Sequence, residues 1–355
     1  MWSDIVDLSK SKFFSRGLLL ISLFLFISCK KETSPPKTSS FIVTTGFALG
    51  TSYSIKYEKA DGITDLQKEI EDIISKINKS MSTYIPTSDI SRVNKGDSTV
   101  VIDSYFREVF LKSREIWEKT DGSFDPTVGS LVNAWGFGPG EELPNISPEQ
   151  VDSIMEYVGF DKLKLTQDQK IRKKHPEIYI DFNAVAKGYT IDLIGRLFDD
   201  HNIENYLIEL GGEILTKGRN TELGKDWILG IDDPRQESTN QRDLLTTIRL
   251  KNQAMATSGN YRKFRIDPET GEKYVHTVNP KTGYTQKSNV LSVSVVASTC
   301  MEADAYATAF MAMELEKTKA LLTALHNIEV YIILAGEGDT VKTFATEGFT
   351  SLLTD

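Results

Sequence analysis

The run Met301–Met313, MEADAYATAFMAM, reads as a helix with almost no polar face. Ala303, Ala305, Ala307, Ala309 and Met311 are small or apolar, so such a helix is largely buried. Within it, Asp304 and Thr308 are four residues apart and share a helical face. A carboxylate and a hydroxyl are hard oxygen donors, which suit Mg²⁺ or Ca²⁺ better than zinc. On an isolated helix this pair is ordinarily a cap or a solvated face. In a buried helix the carboxylate needs a partner.

A second stretch, Asp181-Phe182-Asn183-Ala184-Val185-Ala186-Lys187-Gly188-Tyr189, follows a β-like run at Glu177–Ile180. It precedes a helical pattern marked by Ile191, Ile194, Leu197 and Phe198. A strand-to-helix junction of this kind suits anion binding, because free helix N–H groups favour phosphate. A Lys and a Gly opening a helix are more often ordinary structure, so the stretch needs support from elsewhere.

The remaining elements are mixed. Phe41–Tyr57 reads as two strands or a bulged hairpin broken by Gly46 and Gly50, and Ile63–Met81 has clear helical periodicity. Asp103–Lys119 is a second helix, and Ser147-Pro148-Glu149-Gln150 starts a short third one. Residues 121–147, rich in Gly and Pro, read as a long functional loop. Strands are expected at Tyr206–Glu209, Glu213–Lys217, Trp227–Ile231, Leu244–Arg249, Ala254–Thr257, Tyr274–Val278 and Val290–Ala297. Helices at about Glu302–Glu314 and Glu316–His326 and strands at Val330–Leu334 and Val341–Phe344 close the chain. The fold class is α+β, with mostly antiparallel sheets and packed helices.

The chain has 355 residues and a net charge of −9, which argues against nonspecific binding to nucleic acid. At the N-terminus, Lys10, Lys12 and Arg16 precede an apolar core, Gly17–Ile27, of 11 residues. That core is too short to span a bilayer and fits a signal-peptide h-region. It ends Ser28-Cys29, which resembles a bacterial lipobox with Cys29 as the lipid-modified first residue. Residues 1–28 are therefore expected to be a lipoprotein signal peptide, 29–40 a flexible tether, and 41–355 one domain. A membrane-anchored protein of the cell envelope is then expected, with lipid on Cys29 leaving Cys300 as the only thiol, which cannot form an intrachain disulfide and is compatible with an oxidising compartment.

Other residues could carry chemistry. His276 sits on a strand beside the turn Asn279-Pro280-Lys281-Thr282-Gly283, a candidate general base. Ala256-Thr257-Ser258-Gly259 ends a strand in hydroxyls and Gly, able to face a phosphate. Tyr84 and Phe124 are aromatics in polar loops, able to stack on a flat ring but more often local packing.

Taken together, the segments resemble the ApbE family of FAD:protein FMN transferases. They run in order: Ala48–Thr51; MSTYIPTSDISRVN at 81–94; DGSFDPTVGSLVNAWGFGP at 121–139; DFNAVAKGYTID at 181–192; YLIELGGEI at 206–214; ATSGNYRKF at 256–264; HTVNPKTGY at 276–284; and TCMEADAYATAF at 299–310. The resemblance implies a T-fold-like α/β architecture. It implies Mg²⁺ on Asp304, Thr308 and the carbonyl of Ala184. FAD would lie against Leu49, Tyr84 and the loop Ser123, Phe124 and Asp125, with Asp181, Lys187 and His276 near its polar parts. Leu49 stands where the family commonly has Met, and Asn183 changes the usual turn after Asp181. The implied reaction passes FMN from FAD to a Ser or Thr hydroxyl of an envelope redox protein and releases AMP. Hydrolysis of FAD to FMN and AMP, or lipid-anchored flavin binding without chemistry, remains open at this level.

Overall fold

The computed structural model describes residues 40–60, 62, 65–143, 146–235, 243–260, 264–266, 273–275, 277–285, 289–338 and 340–354, the segments 264–266 and 273–275 by backbone only. Cys29, the signal segment, almost all of the tether and His276 lie outside the described residues.

Strands β1 (Phe41–Ala48) and β2 (Thr51–Glu58) form a hairpin. Helices α1 (Gln67–Met81), α2 (Asp89–Asn94), α3 (Ser104–Lys119), α4 (Gly129–Ala134) and α5 (Pro148–Met155) follow. The short strands β3 (Leu163–Leu165) and β4 (Ile171–Lys173) pair together before α6 (Ala186–Asp200). Next come β5 (Tyr206–Leu210), β6 (Glu213–Lys217), β7 (Trp227–Asp232), β8 (Leu244–Leu250) and β9 (Ala254–Gly259). They are followed by β10 (Phe264–Ile266), β11 (Lys273–Val275) and β12 (Val290–Ala297). The chain closes with α7 (Cys300–Ala312), α8 (Leu315–Leu322), β13 (Glu329–Ala335), β14 (Val341–Ala345), α9 (Glu347–Leu352) and β15 (Leu353–Thr354).

One antiparallel sheet of eight strands, in the order β1-β2-β5-β6-β9-β12-β13-β14, organises the rest. Both faces of its second half are buried, which is why β12 and β13 read as near-continuous apolar runs. Side chains alternate between faces. Val293 and Val295 of β12 and Val330 and Ile332 of β13 join the helices in the main core. Val296, Tyr331 and Ile333 face the other way, toward a small sheet in the order β15-β8-β7 and helix α9. Helix α7 lies in the main core, covered on all sides as its composition requires.

The expected α+β class holds, and several boundaries shift. The strand expected over Glu177–Ile180 reduces to one parallel bridge, Tyr179 with Val128. Its backbone is held instead by Asn94: the side-chain amide donates to the Ile180 carbonyl and accepts from the Ile180 N–H, both at 2.8 Å. The 121–147 loop contains α4, a short helix that its Gly and Pro content conceals. Replacing Asn94 with alanine orphans both Ile180 groups, and a loss of about 2–3 kcal/mol is expected. Urea melts of the variant check this; an unchanged midpoint contradicts it.

Candidate functional site

Helices α6 and α7 meet at Gly188. A Cβ there would fall 2.4 Å from the Cys300 carbonyl oxygen and 2.9 Å from the Met301 amide nitrogen, so only glycine permits the approach. Each helix also bonds the other's opening turn. Asp192 of α6 accepts the N–H groups of Cys300 at 2.7 Å and Met301 at 2.9 Å, satisfying free donors at the start of α7. Asp304 of α7 accepts the N–H of Gly188 at 3.2 Å. Burial pushes the Asp192 carboxyl up to about 7, against the pull of its two N–H bonds.

The turn into α6 explains what Ala184 can do. The carbonyl of Phe182 accepts from Val185 and Ala186, and that of Val185 accepts from Tyr189. The Gly188 N–H, which in a regular helix would bond the Ala184 carbonyl, goes to Asp304 instead. Among the described residues, no hydrogen-bond donor reaches the Ala184 carbonyl. Asn183 fixes the turn through Asp181, whose carboxylate accepts its backbone N–H at 2.7 Å and its side-chain amide at 3.1 Å. Asn183 therefore ties down Asp181.

Lys187 places its ammonium 3.6 Å from Asp304 Oδ2 and 3.3 Å from Glu213 Oε1. Both carboxylates are buried, at 3% and 4% exposure. Burial opposes the Lys187 charge, yet the two carboxylates outweigh it and raise its pKa. Burial also raises both carboxyls, against the pull of the lysine. One ammonium thus faces two desolvated carboxylates and cannot neutralise both. Glu213 Oε2 is buried with no hydrogen-bond partner among the described residues. Thr308, one turn beyond Asp304, has its hydroxyl 3.4 Å from that of Ser258 at the end of β9.

These residues fit a small hard cation. Asp304, Thr308 and the unbonded Ala184 carbonyl offer oxygen alone, and the excess buried negative charge favours a divalent ion. Among the described residues there is no group of three His, Cys, Asp or Glu placed to hold a metal ion, so a cation here would rest on one carboxylate with hydroxyl and carbonyl oxygens.

The other expected residues are dispersed. Leu49 occupies the tip of the β1–β2 hairpin with φ +51°, a left-handed conformation unusual for leucine, and Gly50 follows at +78°. Thr51 packs against Gly211 in the Gly211-Gly212 turn that leads into Glu213, so the Leu49 tip adjoins the charged cluster. Tyr84 is 61% exposed, and its phenol pKa is raised by partial burial and by the Asp181 carboxylate beside it. Burial also raises the Asp181 carboxyl itself.

Ser123 lines a cleft of about 790 Å³ with Trp135, Asn279, Tyr284, Ala312 and Leu315. Asp304, Thr308 and Ala312 recur at intervals of four on α7, so the cleft begins roughly 12 Å along the helix from Asp304. Phe124 and Asp125 point inward. Phe124 is core. Asp125 is saturated by Trp117 Nε1, the Phe160 N–H, and the N–H and hydroxyl of Thr127, which hold the loop that carries Ser123. His276 lies outside the described residues. Its neighbour Thr277 donates to Asn260 at 3.0 Å, tying that segment to the end of β9.

Sequence reasoning missed Glu213 and Asp192. The usable signal for Glu213 was a carboxylate directly after Gly-Gly at the start of a strand.

The ApbE family profile matches residues 49–332. The chain belongs to the ApbE family. A FAD:protein FMN transferase of Haemophilus influenzae is 35% identical, covering 90% of this chain and 92% of that one. A FAD:protein FMN transferase of Vibrio cholerae is 34% identical over 94% and 97%. Among solved structures, the flavin transferase ApbE from Vibrio cholerae aligns with a TM-score of 0.78 at 33% identity, covering 89% of this chain and all of that one. The ApbE protein of Thermotoga maritima aligns with a TM-score of 0.77 at 27% identity, again over 89% and 100%. The mixed, mostly antiparallel ApbE architecture expected from the sequence is therefore the fold of this chain.

Proposed function

We propose that this ApbE-family chain transfers FMN from FAD to a Ser or Thr hydroxyl of an acceptor protein, with Mg²⁺ held by Asp304, Thr308 and the Ala184 carbonyl. The observation that carries this reading is the buried Asp304, with Thr308 one turn on and an unbonded carbonyl at Ala184. The names of the similar proteins support the transfer itself.

Bound Mg²⁺ supplies charge neutralisation on the FAD pyrophosphate. Lys187, protonated between its carboxylates, adds a fixed positive charge. The acceptor oxygen attacks the FMN-side phosphorus, the P–O–P bridge breaks, and AMP leaves with the bridging oxygen. The hydroxyl proton passes to His276 as general base. Leu49, Tyr84 and the Ser123 loop hold the flavin end, Ser123 from the cleft at the C-terminal end of α7. The lipobox-like Ser28-Cys29 supports a lipid anchor on Cys29 and an acceptor among envelope redox proteins facing the periplasm.

Incubating the soluble domain with FAD, Mg²⁺ and a Thr-containing acceptor tests this. Covalent flavin and AMP are expected; FMN and AMP without covalent flavin would mean hydrolysis, and unchanged FAD would mean binding alone. In the same assay His276→Ala should bind FAD and lose transfer. An unchanged transfer rate removes His276 from the role of base.

A further inference from the structure

Glu213 has no part in the reaction as described, yet its carboxylate is buried beside Lys187. It is 4% exposed, its Oε1 lies 3.3 Å from the Lys187 ammonium, and its Oε2 is buried without a partner among the described residues. Nothing about local strand structure asks for a carboxylate there. It stands at the first position of β6, and the turn before it is held through the Gly212 N–H, which donates to Glu209, not to Glu213.

The ammonium of Lys187 occupies the space between two carboxylates, 3.6 Å from the one that is also the cation ligand. Lys187 reaches Asp304 at Oδ2, and a divalent ion sharing that oxygen with the ammonium in a desolvated site would be strongly repelled. An ion held through Oδ2 therefore drives Lys187 off Asp304. Without a second buried anion, the displaced ammonium would be left unpaired in a low-dielectric site, a costly arrangement.

We infer that Glu213 is a positioning residue that receives Lys187 when Mg²⁺ takes Asp304, its unpartnered Oε2 accepting the N–H that Asp304 gives up. In this handover Lys187 is shared between Asp304 and Glu213 before the ion binds and is held on Glu213 as a fixed, protonated donor afterward. Glu213 never touches the ion. It sets the ease with which Mg²⁺ enters and holds Lys187 in one place afterward. The inference rests on the Mg²⁺ reading of Asp304.

Calorimetric titration of Mg²⁺ into the FAD-free protein separates the two. Four proteins are compared: unsubstituted, Glu213→Gln, Lys187→Met and the double variant, each checked for folding by circular dichroism. Glu213→Gln is expected to weaken Mg²⁺ binding at least tenfold, because Lys187 then has only Asp304 to hold. In the Lys187→Met background the same change should alter binding less than threefold, since there is no ammonium to receive. Lys187→Gln replaces Lys187→Met if the latter does not fold. An unaltered affinity in Glu213→Gln overturns the handover. So does an equal loss in both backgrounds, which would make Glu213 act on the ion directly. If the unsubstituted protein binds no Mg²⁺, the Mg²⁺ reading falls, and the handover with it.

Discussion

Asp304→Ala is expected to lower kcat/KM for flavin transfer by roughly a thousandfold or more while leaving the fold intact. A metal that neutralises a developing phosphate charge supplies several kcal/mol, and each 1.4 kcal/mol is about tenfold in rate. Asp304 is the one carboxylate among the three expected ligands, so its loss removes most of the site's affinity for the ion. Stability should change little, for two local reasons. Lys187 keeps Glu213 as its partner at 3.3 Å, and one ammonium then faces one carboxylate instead of two. The Gly188 N–H, released from Asp304, can bond the Ala184 carbonyl in the ordinary helical pattern. The expected change in unfolding free energy is about 1 kcal/mol in either direction. Kinetics at saturating Mg²⁺, with a thermal melt of the same sample, check both halves. A variant that keeps full activity removes Asp304 from the metal site; one that loses activity only by unfolding leaves the role unsupported.

The second large effect is at Gly188. In an isolated helix alanine is better than glycine by about 1 kcal/mol, so propensity alone favours Gly188→Ala. The crossing decides otherwise. The new methyl would sit 2.4 Å from the Cys300 carbonyl oxygen and 2.6 Å from its carbon, and backbone cannot turn aside as a long side chain can. Helices α6 and α7 must separate, which stretches the Asp192 bonds to Cys300 and Met301 together with the Gly188 bond to Asp304. Overpacking of this kind costs about 1–3 kcal/mol, and a melting temperature lower by roughly 2–5 °C is expected for a domain of this size. Because the Ala184 carbonyl is in the turn that leads into α6 and Asp304 and Thr308 are on α7, the same displacement pulls the oxygen donors apart. Mg²⁺ affinity should fall about tenfold beyond what the stability loss explains. A melting temperature at or above that of the unsubstituted protein would show that the close approach does not limit the packing.

Much of this arrangement is legible in the chain itself, and the exceptions have physical causes. The antiparallel strands can be read because β-branched runs are punctuated by tight Gly turns, as at Leu49-Gly50 and Gly211-Gly212. Helix α7 can be read as buried because it has no polar face, and Asp304 and Thr308 are linked by helical periodicity alone. Local signals of that kind do not reach Glu213. Its pairing with Lys187 depends on β6 lying against α6, a contact created by the order of strands in the sheet. The same limit applies to Asp192, whose partners are two backbone N–H groups more than a hundred residues away. Phe124 and Asp125 are misleading for the opposite reason. Their sequence setting is a polar, Gly- and Pro-containing loop, but the loop folds back so that the ring joins the core and the carboxylate is consumed by four internal bonds. Helix α4 is hidden within that loop because its composition, GSLVNA, has neither the length nor the periodicity of the longer helices.

The most direct measurement is the ratio of covalent flavin to AMP when the soluble domain meets FAD, Mg²⁺ and a Thr-containing acceptor. Transfer at the Asp304–Lys187 site predicts a ratio near one, with both products lost in Asp304→Ala. AMP with free FMN and no covalent flavin would contradict transfer, and AMP formation that persists undiminished in Asp304→Ala would contradict the site.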